Sequence, residues 1–375
     1  MKTTVLKDFL KEGISMAERV CAKNPSLPVL SNILMVAEKN ILQISATDLE
    51  IGVHYKALAK NDKDGSVVVP PRALSQFVSS LTSNQAVLTL KEKQLEVQSG
   101  NFKALLKTLD PEDFPIIPSP KGDEPTVEID AGALVEGVAS VIGFVGQTQA
   151  RPEISGILFS FSQKTLKLVS TDSFRLAEKT VSTRTAAPKE HSFILPAKAA
   201  RELVNALGER QGKVKIYFSP TQASFFYSQQ GEMKEPQIQL VSRLIEGEYP
   251  KYQDVIPSNI KTKAILNKND LIAHLKAASV FSGRTNDVHF ILNPQKKAVE
   301  VRAQSQDLGE DVSSLEAKVE GEKREVSFNW RFFLEGLAQM KSERVDFGLA
   351  NEEGPALVRP GASEEFLYVL MPLKL

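Results

Sequence analysis

The chain repeats itself, and that repetition limits what it can fold into more than any single motif does. Val5 to Cys21 carries Leu6, Leu10, Gly13, Ala17 and Val20 at helical spacing and predicts an amphipathic helix. Alternating or apolar runs follow at Ile33 to Ala37, Ile41 to Ser45 and Gly52 to Ala59, broken by Glu38-Lys39-Asn40 and Ala46-Thr47-Asp48. They predict strands. Near residue 127 the pattern restarts with Val127-Glu128-Ile129, a helix from Ala131 to Ile142, and strands at Ile157 to Phe161, Leu166 to Ser170 and Ala177 to Ser182. Near residue 263 it restarts again with Lys263 to Leu266, a helix from Leu271 to Val280, and strands at His289 to Leu292 and Ala298 to Ala303. Ser170-Thr171-Asp172 takes the place of Ala46-Thr47-Asp48, and Asp307 takes the place of Asp48 and Asp172.

A second copy of the unit lies inside each third. Val67 to Pro70 precedes a helix with Leu74, Phe77, Val78 and Leu81; Phe193 to Pro196 precedes one with Ala200, Leu203, Val204 and Leu207; Val326 to Asn329 precedes one with Phe333, Leu334 and Leu337. Each is followed by strand-like runs, at Ala86 to Leu90, Lys213 to Phe218 and Arg344 to Leu349. The pattern predicts an α+β chain with antiparallel sheets, built from six strand–helix–strands units paired into three similar domains, 1–120, 126–256 and 262–375. The boundaries are placed in the Pro/Lys/Gly stretch from Pro115 to Pro125 and at Ile256-Pro257-Ser258-Asn259. Six like units, rotated by a constant angle with their helices on one side, form an arc. Closed by a two-fold axis, that arc is a ring with helices on one circumference and sheets on the other.

Chemistry-bearing motifs are weak. Cys21 is the only cysteine, which excludes an internal disulfide, makes a Cys/His metal site improbable and suits a reducing compartment. His54, His191, His274 and His289 form no metalloprotease spacing, and Gly143 and Gly146 in Gly-Phe-Val-Gly match no phosphate loop. No nucleophile elbow is present. Thr171-Asp172 recurs at Thr47-Asp48 and Gln306-Asp307, so it reads as a structural turn. Asp307, Glu310 and Asp311 lack calcium-loop spacing. The expectation is no catalytic residue, no metal and no cofactor. No apolar run approaches a membrane span, and the first residues contain no secretory h-region. The 46 basic and 46 acidic residues cancel, so any grip on nucleic acid must come from uneven placement of charge. Three function classes fit: a ring on DNA, an enzyme with an unrecognised site, and a repeat scaffold that binds only proteins.

A family resemblance separates them. Leu27-Pro28-Val29-Leu30-Ser31-Asn32, Thr47-Asp48-Leu49-Glu50, Asp113-Phe114-Pro115, Leu168 to Ala177, Arg243 to Tyr252 and the final Tyr368 to Leu375 occur in the order and spacing of one family. Over essentially its whole length the chain resembles the bacterial DNA polymerase III beta subunit, the sliding clamp. The resemblance implies a non-catalytic homodimeric ring, helices inside and sheets outside, around duplex DNA. It implies a processivity role in a cytoplasmic, nucleoid-associated setting. The implied partners are the replicative polymerase, an ATP-driven clamp loader and repair proteins with a clamp-binding motif. The other clamp plan is a trimer of two-domain chains, and three domains per chain favour two chains.

The resemblance also implies sites. Weak, sequence-independent phosphate contacts would come from Lys7, Lys11, Arg72, Lys198, Arg201, Lys276 and Arg331 on helices, with Lys23, Gln149 and Arg151 on nearby loops. The helix at 131–142 carries Glu136 and no basic residue. The seam would join an edge strand, Asn101 to Thr108 with Lys103 and Lys107, to a partner region with Val280, Phe281, Asp307, Glu310 and Asp311. A partner-peptide pocket would comprise Thr171, Ser173, Phe174, Arg175, Leu176, Pro250, Val255, Asn329, Phe332, Pro355, Val369, Leu370, Met371, Pro372 and Leu373. Leu and Val are expected at its floor, an adaptable Met at its wall and Arg175 at its rim. Phe174 stands where the family often has histidine, and Asp254 where it often has a basic residue.

Overall fold

The computed structural model describes residues 1–375 except 24–26, 121–125, 149, 188–189, 230–234, 362 and 375. Part of the Pro115 to Pro125 boundary, Gln149 and Leu375 therefore lie outside the described residues. The chain divides into two compact units, 1–136 with 162–164 and 182–245, and 137–161 with 165–181 and 246–375.

Six α-helices occur among the described residues, one for each repeat: α1 (Lys7–Val20), α2 (Pro71–Ser80), α3 (Ala131–Val141), α4 (Ala197–Leu207), α5 (Lys268–Phe281) and α6 (Trp330–Ala338). Three start on the same device. The side chain of Asp130 accepts from the backbone N–H of Gly132 and Ala133, Asn267 from those of Asn269 and Asp270, and Asn329 from those of Arg331 and Phe332. Each cap satisfies donors that the first helical turn leaves unpaired.

In the first unit one antiparallel sheet runs in the order Phe102–Lys107, Gln94–Ser99, Gln85–Lys91, Lys2–Leu6, Ile51–Lys63, Ile238–Arg243, Gln222–Ser228, Lys213–Phe218, Thr126–Asp130. Ile33–Glu38, Ile41–Thr47 and Gly65–Val69 join it beside Ile51–Lys63. The first helix differs from expectation. Val5 and Leu6 belong to strand Lys2–Leu6, and the helix starts at Lys7. That strand fills a slot between two others, with Thr3 opposite Leu88 and Asn61, and Val5 opposite Ala86 and Ala59. Two ladders of backbone hydrogen bonds outweigh the local helical period. Leu6 is 44% exposed, whereas Leu10, Gly13, Ile14, Met16, Ala17 and Val20 are buried. Gly13 is dictated by packing: a Cβ there would sit 2.5 Å from Cδ1 of Tyr55.

The second unit has two sheets. One runs Gly156–Ser162, Thr165–Thr171, Arg175–Ser182, Phe366–Leu370, Ala356–Pro360, Arg344–Leu349, Thr262–Asn267, Lys318–Gly321. The other runs Gly309–Glu316, Ala298–Ser305, Asp287–Asn293, Arg324–Asn329. Phe290, Phe328, Phe333 and Phe347 pack with centroids 5.2–6.0 Å apart, all essentially inaccessible to solvent. Burial of each contributes roughly 1.5–3 kcal/mol.

The recurring turn is real in two places and shifted in the third. Asp48 Oδ1 accepts from the N–H of Glu50 and Ile51, and Asp172 Oδ1 from those of Phe174 and Arg175. Asp307 does not hold the matching position. Ser305 pairs with Gly309 across a turn one residue shorter than the Thr47–Gly52 turn, and the Asp307 N–H reaches Ser305 Oγ as that of Leu49 reaches Thr47 Oγ1. Asp307 thus corresponds to Leu49 and Ser173, and its carboxylate is left exposed.

Candidate functional site: an apolar groove, two open edges and scattered cations

The second unit contains a groove built on the Asp172 turn. Thr171 Oγ1 donates to the carbonyl of Arg175 at 2.7 Å and accepts from the N–H of Ser173 at 3.1 Å. These bonds hold Ser173 at φ 78°, in the left-handed region. Strand Arg175–Ser182 then pairs with Phe366–Leu370, Leu176 opposite Val369. The chain beyond that strand is tied down twice. Met371 N–H donates to the Phe174 carbonyl at 2.9 Å, and Leu373 N–H to the Ser327 carbonyl at 2.8 Å. The third wall is Pro250 to Val255. Tyr252 anchors it with a 2.6 Å hydrogen bond from its hydroxyl to Glu178, and Tyr249 donates to the Val169 carbonyl at 3.4 Å. Burial, reinforced by Glu178, keeps the Tyr252 phenol protonated far above its ordinary range.

The groove encloses about 230 Å³. Thr171, Ser173, Arg175, Leu176, Pro250, Val255, Val369 and Met371 line it, together with Arg151, Lys251 and Tyr252. Seven other expected pocket residues do not. Leu370 is fully buried in the sheet behind it, and Phe174 points outward at 62% exposure, contributing only its carbonyl. Asn329 is spent capping α6, and Phe332 lies under the Arg175 guanidinium at 4.2 Å from its ring centroid. Pro355, Pro372 and Leu373 flank strand ends without reaching the hollow. Arg175 is also not the free rim donor expected. Its side chain is 10% exposed, paired with Asp172 at 2.8 Å and with Glu335, and stacked against Phe144 and Phe332. Arg151, read from sequence as a DNA contact, forms part of the groove wall. It bonds Ser173 Oγ at 3.2 Å and Glu153 at 3.1 Å. Lys251 and Tyr252 were legible in the Pro250-Lys251-Tyr252 motif; Arg151 carried no signal.

Each unit also ends a sheet on an open edge among the described residues. Phe102–Lys107 pairs only with Gln94–Ser99, and Gly309–Glu316 only with Ala298–Ser305. The first edge exposes Phe102, Leu105 and Lys107; Lys103 is bound to Glu96 at 2.6 Å. The second exposes Leu308, Val312, Asp307 and Glu310, with Asp311 half-buried. Val280, at 59% exposure, and half-buried Phe281 end α5, which packs against the strands beside that edge. The apolar members Phe102, Leu105, Leu308 and Val312 escaped the sequence reading, which followed charge.

The expected cations are not equivalent. Lys11, Arg72, Arg201 and Lys276 are exposed on helices, and Lys23 just after α1, with no carboxylate paired to them among the described residues. Lys198 instead pairs with Asp48, Lys7 donates to the Leu81 carbonyl at 3.3 Å, and Arg331 stacks on Trp330. Burial, with Glu18 adding to it, pushes the Cys21 thiol up to about 12, and no cluster of metal-ligating side chains occurs among the described residues. Among the described residues no helix is long and apolar enough to cross a membrane.

Comparison with known proteins accounts for nearly the entire length. Three family models match: the DNA polymerase III beta subunit N-terminal domain at residues 1–118, its central domain at 128–251 and its C-terminal domain at 253–374. The beta sliding clamp of Synechococcus elongatus is 25% identical, and that of Pseudomonas putida 27%, each with all of both chains covered. The crystal structure of the Bacillus subtilis sliding clamp superposes with a TM-score of 0.92 at 23% identity, covering 100% of this chain and 99% of that one. The chain therefore belongs to the DNA polymerase III beta subunit family, the beta sliding clamps, non-catalytic subunits that serve as processivity factors of DNA polymerase III.

Proposed function

We propose that this chain closes as a homodimer into a ring around duplex DNA and tethers the replicative polymerase, the clamp loader and other motif-bearing proteins through the groove of the second unit. The domains of this ring are 1–120, 126–256 and 262–375, and it works in the cytoplasm at the nucleoid. One observation carries the reading. The two open edges are complementary: Phe102, Leu105 and Lys107 on one, Leu308, Val312, Asp307 and Glu310 on the other. An unpaired strand edge with exposed apolar side chains invites a partner strand, and opposite charge selects which edge it meets. Edge-to-edge pairing at two such seams between two copies would leave neither of these edges open, whereas a filament leaves one open at each end.

A closed ring separates retention from affinity. Topology holds the DNA, while scattered cations such as Lys11, Lys23, Arg72, Arg201 and Lys276 make exchangeable phosphate contacts that permit sliding. The zero net charge is compatible with this, because tight binding would halt movement. The test is retention on DNA of two topologies. After loading on a nicked circular plasmid, the protein should remain through gel filtration and leave once the plasmid is cut. Equal retention on circular and linear DNA would refute encirclement.

A further inference from the structure

The groove of the second unit has a counterpart inside the first. Thr47 Oγ1 donates to the Ile51 carbonyl at 2.8 Å and accepts from the Leu49 N–H at 3.0 Å, the same two bonds that Thr171 makes. Leu49 sits at φ 75° where Ser173 sits at 78°. Arg243 N–H donates to the Glu50 carbonyl at 2.9 Å, as Met371 N–H does to that of Phe174. Val241 faces Gly52 across the ladder as Val369 faces Leu176. The common frame encloses about 210 Å³ in the first unit against about 230 Å³ in the second.

The frame is shared but the chemistry is not. Ser173, Arg175 and Met371 are replaced by Leu49, Ile51 and Arg243. Ile117 is buried and packs onto Gly52, where a Cβ would lie 2.6 Å from its Cγ2, so it forms the floor. Ile116 is left 93% exposed and Leu49 48% exposed at the rim. Arg243 is exposed at the end of strand Ile238–Arg243, and no carboxylate pairs with it among the described residues. A rim of bare Ile and Leu beside an unpaired guanidinium matches an apolar segment that also carries negative charge.

We infer that this hollow is a second docking groove, for an extended segment of a partner protein that places two apolar side chains against Leu49 and Ile116 and a carboxylate at Arg243. It differs from the groove of the second unit in its aliphatic lining, Leu49 and Ile51 where that groove has Ser173 and Arg175, so the two would select different partners. The experiment is a random octapeptide display selected on the full chain and counter-selected on Ile116→Asp, a change at an exposed position that leaves the fold intact. Survivors should carry an apolar pair and Asp or Glu. Synthesised with a fluorophore, they should bind about tenfold more weakly to Ile116→Asp and to Arg243→Glu. Replacing the peptide's acidic residue by Lys should restore binding to Arg243→Glu. Binding should be unchanged on Val255→Asp, which alters the other groove. The inference is overturned if no peptide distinguishes wild type from Ile116→Asp, or if every selected peptide is lost on Val255→Asp. A sedimentation coefficient that falls with Ile116→Asp would assign the face to a second copy of the chain and overturn it equally.

Discussion

Two side chains show how single residues set the behaviour of their surroundings. His54 lies on strand Ile51–Lys63, its Nδ1 within hydrogen-bonding distance of Ser45 Oγ at 2.7 Å and Gln43 Nε2 at 3.2 Å. Burial, with Lys56 nearby, lowers its pKa from 6.5 to about 4. The folded chain thus keeps the ring neutral while the unfolded chain binds a proton below 6.5. Its contribution to stability is complete above that pH, declines as pH falls towards 4, and is lost below. His54→Gln should flatten this slope, by on the order of 2–3 kcal/mol between pH 7 and 4 in urea titrations. Arg175 is the second case. Its paired and stacked guanidinium joins the Asp172 turn to Phe144, Phe332 and Glu335. Arg175→Ala should cost about 1–3 kcal/mol in denaturant unfolding. Arg175→Lys should recover less than half, because an ammonium neither stacks nor forks in the same way.

At the level of elements, period and turn chemistry were legible where local and long-range preferences agree. The helices at 131–141 and 268–281 and the strand at 213–218 match their sequence patterns because capping or alternation and packing point the same way. Lys2–Leu6 was misread because its pairing partners, Gln85–Lys91 and Ile51–Lys63, lie far along the chain. The Asp307 register was misread because a turn shortened by one residue moves every position after Ser305. The groove was half legible. Residues on the Asp172 turn and the last strand follow from their motifs, but which side chains face the hollow depends on pleat and on the two ties of the tail. Those ties make a firm prediction. Met371 and Leu373 hang on the Phe174 and Ser327 carbonyls, outside any strand. Deleting 371–375 should remove one wall of the groove and abolish binding of polymerase and loader peptides in fluorescence polarisation. The dimer should persist in sedimentation, and its loss would make the tail a structural strap instead.

For the whole molecule, the proposed closure and the proposed grip on DNA are separable, and each has its own variant. At the proposed seam Lys103 is already committed to Glu96, whose carboxylate is held below its ordinary range by Lys103 and Lys91, so Lys107 is the freer charge. Lys107→Glu with Leu105→Asp should give a species near the 41.2 kDa chain mass in sedimentation equilibrium. Adding Glu310→Lys should partly restore the dimer. Grip is read from salt dependence, since each phosphate contact releases counterions and steepens the fall of log K with log salt by about 0.9 on duplex DNA. Arg72→Gln and Arg201→Gln remove unpaired cations and should each reduce that slope by about 1, equally on any sequence. Lys198→Gln should reduce it less, because its ammonium already faces the Asp48 carboxylate. Asp48→Asn, by freeing Lys198, should steepen the slope of the otherwise unaltered chain. If Lys198→Gln and Arg201→Gln flatten the slope equally, the Asp48 pair opens on DNA and does not temper the grip. If neither variant changes it, α4 makes no phosphate contact.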